Sequence, residues 1–116
     1  MNVNFFQINA VLLLNILLTA GLLNVQCSPK SRRIMEENEK YIGMWVTKDG
    51  YIRQELLPNN RYDEARGDKK SAYQGRYKIT GNHIDYWDDT GFTADGEFRE
   101  GVLYHGGYVF YKEANK

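Results

Sequence analysis

The stretch AYQGRYKITGNHIDYWDDTGFTADGEFR, residues 72–99, decides the fold of this chain. It contains three segments, separated by the turn-forming pairs Gly81-Asn82 and Thr90-Gly91. In the first and third segments small or apolar residues alternate with polar residues, and the small or apolar set is Tyr73, Gly75, Tyr77, Ile79, Phe92, Ala94, Gly96 and Phe98. A period of two indicates β-strands that bury one face, so this set is predicted to point inward.

The same pattern extends over the whole chain after Tyr41. β-Branched and aromatic residues occur in short runs separated by turn dipeptides, which predicts eight strands near residues 41–47, 50–57, 60–66, 72–80, 82–88, 91–99, 102–105 and 107–113. Short turns favour antiparallel pairing, and a closed sheet leaves no edge unpaired. The sequence therefore predicts an all-β domain, an eight-stranded antiparallel up-and-down barrel of the streptavidin or lipocalin type, with a two-sheet sandwich as the alternative.

Charge divides the chain into unlike parts. The 116 residues carry fifteen Lys+Arg and fifteen Asp+Glu, all at or after Lys30, so the formal net charge is zero. This length allows one small domain, and the balanced charge gives no electrostatic reason to expect nucleic acid as a partner.

Residues 1–28 are predicted to be a signal peptide or membrane anchor, because Phe5 to Val25 is apolar enough to form an apolar leader helix in a bilayer. Cleavage is favoured, which predicts an exported protein, periplasmic or secreted. The alternatives are lipid attachment at Cys27 and retention as an anchor, the two routes to membrane contact. The basic residues that follow, Lys30 to Arg33, have the wrong polarity for export.

Residues 29–40 are predicted to be a charged linker with at most a short helix from Arg32 to Glu39, and residues 41–116 the barrel domain. Because Cys27 is the single cysteine, no intrachain disulfide can form and no cysteine cluster for zinc exists. We expect no metal site and no cofactor.

Strand parity also assigns the barrel interior. The remaining inward set is Gly43, Trp45, Ile52, Leu56, Ile84, Tyr86, Asp88, Leu103, His105, Tyr108 and Phe110. If Tyr62 points inward, Glu64 and Arg66 approach the lumen or mouth, where they can pair with each other or with Asp88 and His105. Interior glycines such as Gly75 and Gly96 indicate either sheet curvature under an aromatic ring or room for a ligand, and curvature is favoured.

Several motifs between Gly43 and Glu113 resemble a family of small uncharacterised bacterial proteins, usually single domains without a leader. They are Trp45 with Asp49-Gly50-Tyr51-Ile52-Arg53, Gly75-Arg76-Tyr77, Ile84 to Phe92, Ala94 to Phe98, and His105-Gly106-Gly107. The resemblance implies a streptavidin-like barrel with a cavity in its mouth, an unidentified ligand and no known reaction. The biotin-contact set of streptavidin cannot be placed on this chain residue by residue, so biotin is not predicted.

We predict a small-molecule binding protein, because rings interleaved with small residues suit flat ligands. The candidate ligand-binding residues are Trp45, Tyr62, Glu64, Arg66, Tyr77, Tyr86, Asp88, His105 and Tyr108. A core filled by aromatic side chains is the alternative to a cavity. The second function class is a protein-interaction module, such as an envelope inhibitor or chaperone, with an outward patch of Trp87, Tyr104 and Tyr111, a face that would also serve a homo-oligomer.

An enzyme is the third class and is not favoured. An isomerase or lyase would pair His105 with Asp88 or Glu64 as acid and base, but no triad can be assembled, and a hydrogen-bonded rim histidine is the preferred interpretation. Asp88-Asp89-Thr90-Gly91 is interpreted as a capped turn rather than a cation site. Gly67-Asp68-Lys69-Lys70-Ser71 is interpreted as a solvated loop, at the place where streptavidin-like barrels carry a lid.

Overall fold

The computed structural model describes residues 28–114, which form one helix and eight strands. The helix is α1 (Pro29–Glu39), and the strands are β1 (Gly43–Thr47), β2 (Ile52–Leu56), β3 (Arg61–Arg66), β4 (Lys69–Thr80), β5 (His83–Asp88), β6 (Thr93–Arg99), β7 (Val102–His105) and β8 (Tyr108–Lys112). A division of the chain falls between Ile34 and Met35, and all eight strands belong to the part that follows it. The apolar part of the predicted leader, Cys27 included, lies outside the described residues.

Helix α1 begins three residues before the predicted start at Arg32. The Ser28 hydroxyl accepts a hydrogen bond from the Ser31 amide at 3.2 Å, and Pro29 occupies the first helical position, where its missing N–H costs nothing. None of the helix residues is buried. Within residues 28–114, no helix has both the length and the apolar character that crossing a membrane requires.

The sheet closes on itself, which confirms the predicted fold class and excludes the sandwich. Each strand pairs antiparallel with the next, and β8 returns to β1 with Trp45 opposite Lys112 and Thr47 opposite Phe110. We call the end with the β1–β2, β3–β4, β5–β6 and β7–β8 turns the mouth, and the opposite end the base.

The connection between β3 and β4 is shorter than the predicted loop over Gly67–Ser71. Strand β4 begins at Lys69, so only Gly67 and Asp68 connect the two strands, and the prediction of a loop over Lys69–Ser71 is wrong. Gly67 has a φ of +56°, and a Cβ there would lie 2.9 Å from the Tyr51 ring, so glycine suits this tight turn.

Aromatic and aliphatic side chains pack the interior of the barrel toward the base. Tyr41 stacks on Phe98 with ring centroids 3.9 Å apart, and its carbonyl accepts a hydrogen bond from the Trp45 indole at 2.8 Å. From these rings an apolar core extends through the barrel, and its buried members include Ile52, Leu56, Ile79, Ile84, Leu103 and Phe110. Most of the predicted inward residues are therefore buried, whereas Tyr73, Phe92, Ala94 and Tyr108 are exposed.

Close contact between strands explains the two interior glycines. A Cβ on Gly75 would lie 2.1 Å from the Trp87 carbonyl oxygen, and a Cβ on Gly96 would lie 2.8 Å from that of Tyr104. No ligand is needed to account for either residue, in agreement with the favoured interpretation that sheet geometry requires them.

Replacing Gly75 by alanine is expected to lower the free energy of unfolding by about 2 kcal/mol or more, because the methyl group meets backbone that belongs to the β4–β5 ladder. Urea denaturation measures this change. Lys78→Ala, at an exposed position of the same strand, is the control and should cost less than about 0.5 kcal/mol. Equal losses in the two variants would contradict the explanation.

Candidate ligand-binding site

The mouth half of the barrel contains a cavity of about 230 Å³, which we call the mouth cavity. Six of the nine candidate ligand-binding residues line it, namely Tyr62, Glu64, Arg66, Tyr86, Asp88 and His105. The rest of the lining is Gln54, Tyr73, Phe92, Thr93, Ala94 and Gly106. Depressions of about 420, 410 and 390 Å³ also exist, and neither Gln54 nor Glu64 lines any of them. The first two are lined largely by exposed turn residues, and the third lies at the base beside Tyr41, Trp45 and Phe98.

A chain of hydrogen bonds crosses the floor of the mouth cavity. The Tyr86 hydroxyl donates to Gln54 Oε1 at 2.7 Å, Gln54 Nε2 donates to Glu64 Oε1 at 2.9 Å, and Arg66 Nε donates to Glu64 Oε2 at 3.0 Å. Gln54 is 1% exposed and Glu64 is 3% exposed. Since a buried carboxylate requires compensation, these contacts explain how Glu64 is tolerated inside the barrel. We call these four residues the floor chain.

Sequence reasoning missed Gln54, although its position contains the signal. Ile52, Gln54 and Leu56 alternate on β2 and are all buried, so period-two parity placed a polar amide inside. Gln54 pairs with Glu64 across the β2–β3 ladder, which brings the amide and the carboxylate together.

Tyr62 and Tyr86, which both line the mouth cavity, are held in their neutral form. Burial raises the pKa of Tyr86 well above its ordinary value, and the nearby Glu64 charge acts in the same direction. Burial also raises the pKa of Tyr62, with a further contribution from Asp88, whose Oδ2 accepts the Tyr62 hydroxyl at 3.3 Å. Both hydroxyls therefore act as hydrogen-bond donors at neutral pH.

Asp88 and Asp89 support the turn that follows β5, which confirms the turn interpretation. Asp88 Oδ1 accepts hydrogen bonds from the Thr90 amide, at 2.8 Å, and from the Thr90 hydroxyl. Asp89 forms a bidentate pair with Arg61, at 2.8 and 2.6 Å. The part of the chain from residue 28 to 114 contains no cluster of three His, Cys, Asp or Glu side chains placed to hold a metal ion.

His105 has a defined tautomer. Its Nδ1 lies 2.9 Å from the Asp95 carbonyl oxygen, which can only accept, so Nδ1 carries the proton. In the neutral ring this leaves Nε2 as an acceptor. The ring packs against Tyr86 with centroids 4.4 Å apart.

Arg66 connects the floor chain to the rim. Its guanidinium carbon lies 4.9 Å from the centre of the Tyr73 ring and 5.8 Å from that of Tyr108, so two aromatic rings flank the cation. Among residues 28–114, Nε bonds to Glu64 and neither terminal nitrogen of Arg66 has a hydrogen-bond partner.

The other three candidate residues lie outside the mouth cavity. Trp45 is buried near the base with Tyr41 and Phe98. Tyr77 is buried and donates its hydroxyl to the Leu57 carbonyl at 2.7 Å. Tyr108 is exposed at the end of β8.

The three residues of the predicted outward patch do not form one surface. Tyr104 and Tyr111 are exposed on the neighbouring strands β7 and β8. Trp87 lies on β5, with β6 between, and its ring faces the Arg76 guanidinium at 5.3 Å.

A family model described as "Agrobacterium tumefaciens protein Atu4866" matches residues 38–112. This chain belongs to that family. It is also similar to the solution structure of the protein Atu4866 from Agrobacterium tumefaciens, with 69% sequence identity, a TM-score of 0.59, and coverage of 64% of this chain and 95% of that one. No curated protein matches this chain. The comparisons confirm the predicted resemblance to a small bacterial family.

Replacing Gln54 by leucine tests the floor chain. The change removes the partner of both the Tyr86 hydroxyl and Glu64 Oε1, so the free energy of unfolding should fall by at least about 2 kcal/mol. Gln74→Leu removes an exposed amide that hydrogen bonds Asp63, and it should cost less than about 1 kcal/mol in the same urea denaturation. Similar losses would show that the floor chain does not stabilise the barrel.

The stability contributed by Asp88 should depend on pH. Hydrogen bonds from the Thr90 side chain and amide hold the pKa of Asp88 below its ordinary value of 3.8. The stabilisation is therefore fully present above pH 3.8 and is lost as the pH falls through the lower folded-state pKa. Thermal unfolding at a series of pH values should show a deficit for Asp88→Asn that narrows below pH 3.8.

Asp68→Asn serves as the control for that series. The Asp68 carboxylate accepts no hydrogen bond among the described residues. The unfolding temperature of this variant should therefore follow that of the unaltered protein at every pH. A deficit for Asp88→Asn that stays constant to the lowest pH would contradict the pH dependence.

Proposed function

We propose that this protein binds a small molecule in the mouth cavity and releases it chemically unchanged. The observation that carries the proposal is the floor chain. A row of hydrogen-bonded polar side chains lies beneath a cavity that opens at the mouth, whereas the buried side chains toward the base are apolar. Ligand sites typically have aromatic walls and a small number of polar groups with fixed directions.

The volume of the cavity supports a ligand of modest size. About 230 Å³ is less than the roughly 300–1,000 Å³ of sites for drug-sized molecules, so a metabolite with one ring is the appropriate scale. Tyr73, Phe92 and His105 offer flat surfaces to such a ring.

The cavity groups are also preorganised, which favours binding over catalysis. Asp88 is engaged by Thr90 and Tyr62, and Glu64 is engaged by Gln54 and Arg66. His105 donates to a backbone carbonyl, so no carboxylate orients it as a catalytic base. Because these side chains are already fixed by hydrogen bonds, binding a ligand costs less conformational entropy.

The location that we propose is outside the cytoplasm, periplasmic or secreted. This rests on the uncharged apolar leader of the sequence. In that setting the barrel would hold or sequester a metabolite.

An interaction role is the second candidate, favoured by one outer face. Tyr104 pairs with Val109 and Val102 with Tyr111 across β7 and β8, and three of these four side chains are exposed. An exposed apolar ladder of this kind suits contact with another protein.

Native mass spectrometry of protein purified from its own cells tests the binding proposal. We expect a retained small molecule, which His105→Ala should reduce at least tenfold because the variant removes a wall of the cavity. Trp87→Ala, on β5 and outside the cavity lining, is the matched control and should leave the retained molecule in place. A molecule lost from the Trp87 variant but kept by the His105 variant would overturn the proposal.

A further inference from the structure

Each carboxylate oxygen of Glu64 and Asp88 in the mouth cavity accepts a hydrogen bond from the protein. Glu64 accepts from Gln54 on Oε1 and from Arg66 on Oε2. Asp88 accepts from Thr90 on Oδ1 and from Tyr62 on Oδ2. These donors already compensate part of the charge of both carboxylates, which weakens their attraction for a cationic ligand.

Arg66 presents the opposite situation. Its Nε–H is committed to Glu64 at 3.0 Å, while the two terminal nitrogens have no hydrogen-bond partner among residues 28–114. The Glu64 contact restrains the plane of the guanidinium, so the edge formed by the terminal nitrogens remains for a ligand. That edge carries parallel N–H groups whose spacing matches the two oxygens of a carboxylate.

The surroundings of Arg66 add a requirement on shape. The ring of Tyr73 lies 4.9 Å from the guanidinium carbon and also lines the cavity, together with Phe92. A planar group bound in line with the guanidinium would continue as a flat ring between aromatic walls.

The charge of the cavity limits the ligand further. Arg66 contributes one positive charge, and Glu64 and Asp88 contribute two negative charges in their ionised form. An anionic ligand must therefore be attracted by direct contact with Arg66 rather than by the field of the whole cavity. This favours a ligand with one carboxylate over a ligand with two.

We propose that the mouth cavity binds a small aromatic monocarboxylic acid, with its carboxylate on the terminal edge of the Arg66 guanidinium and its ring against Tyr73 and Phe92. This inference rests on the proposed binding function and names the ligand class for the same cavity.

Three probes of one shape test the ligand class. Benzoate, benzamide and benzamidine differ at the planar group, which is anionic, neutral and cationic respectively. Each is titrated at pH 7 into the full-length protein labelled with ¹⁵N, and the shifts of amide resonances report both affinity and site. Benzoate should bind at least tenfold tighter than benzamide and benzamidine, with shifts centred on Arg66, Tyr73 and Phe92.

Two arginine variants assign the preference to a residue. Arg66→Gln should weaken the affinity for benzoate at least tenfold and change the affinity for benzamide by no more than about threefold. Arg66→Lys keeps a positive charge beside Glu64 but loses the paired N–H groups of the guanidinium, so it should recover only part of the affinity for benzoate. Arg53→Gln removes an outer arginine that pairs with Glu113 at 2.7 Å, and it should leave benzoate binding unchanged. If Arg66→Gln does not fold, the lysine variant and the order of affinities of the three probes for the unaltered protein still test the ligand class.

The outcomes separate this inference from the function beneath it. If benzamide or benzamidine binds in the cavity as tightly as benzoate, or if benzoate does not bind, the ligand class is wrong while cavity binding stands. If a broader set of ring-sized fragments, these probes included, also perturbs no cavity resonance, the proposed function is wrong as well.

Discussion

Closure of the sheet between β1 and β8 is the constraint on which the rest of the structure depends. Trp45, Val46 and Thr47 pair with Lys112, Tyr111 and Phe110, so the last strand satisfies the backbone of the first. Closure also makes one face of every strand an interior face, and that face then has to contain Gln54, Glu64 and Tyr86 as well as apolar side chains. These polar groups are acceptable because, among the described residues, no buried side-chain nitrogen or oxygen lacks a hydrogen-bond partner.

The interior is consequently divided along its axis. Toward the base, Tyr41 and Trp45 pack on Phe98 and seal the barrel with rings. Toward the mouth, the floor chain replaces apolar packing with directed hydrogen bonds, and open volume remains above it. A barrel of eight strands is just wide enough for either a filled core or one small ligand, and this chain combines the two in one lumen.

Alternation along the sequence predicted the strands, their order and, except on β3, where it left the inward face open, the side of the sheet on which the core residues lie. It did not predict depth, because period two distinguishes inside from outside but not base from mouth. For this reason Trp45 and Tyr77 were grouped with the mouth residues, and Tyr73 and Phe92, which line the cavity, were left out. Gln54 shares the inward parity of Ile52 and Leu56, but parity alone does not show that Glu64 and Tyr86 lie within hydrogen-bond distance of its amide. The extension of β4 to Lys69 was missed because its first residues are charged and exposed, a composition that is typical of loops.

The two-residue connection at Gly67 and Asp68 has a kinetic consequence. A segment this short cannot fold over the lumen, so a guest would enter and leave without waiting for a hinged flap to open. Its residence time would then be determined by the strength of the contacts within the lumen.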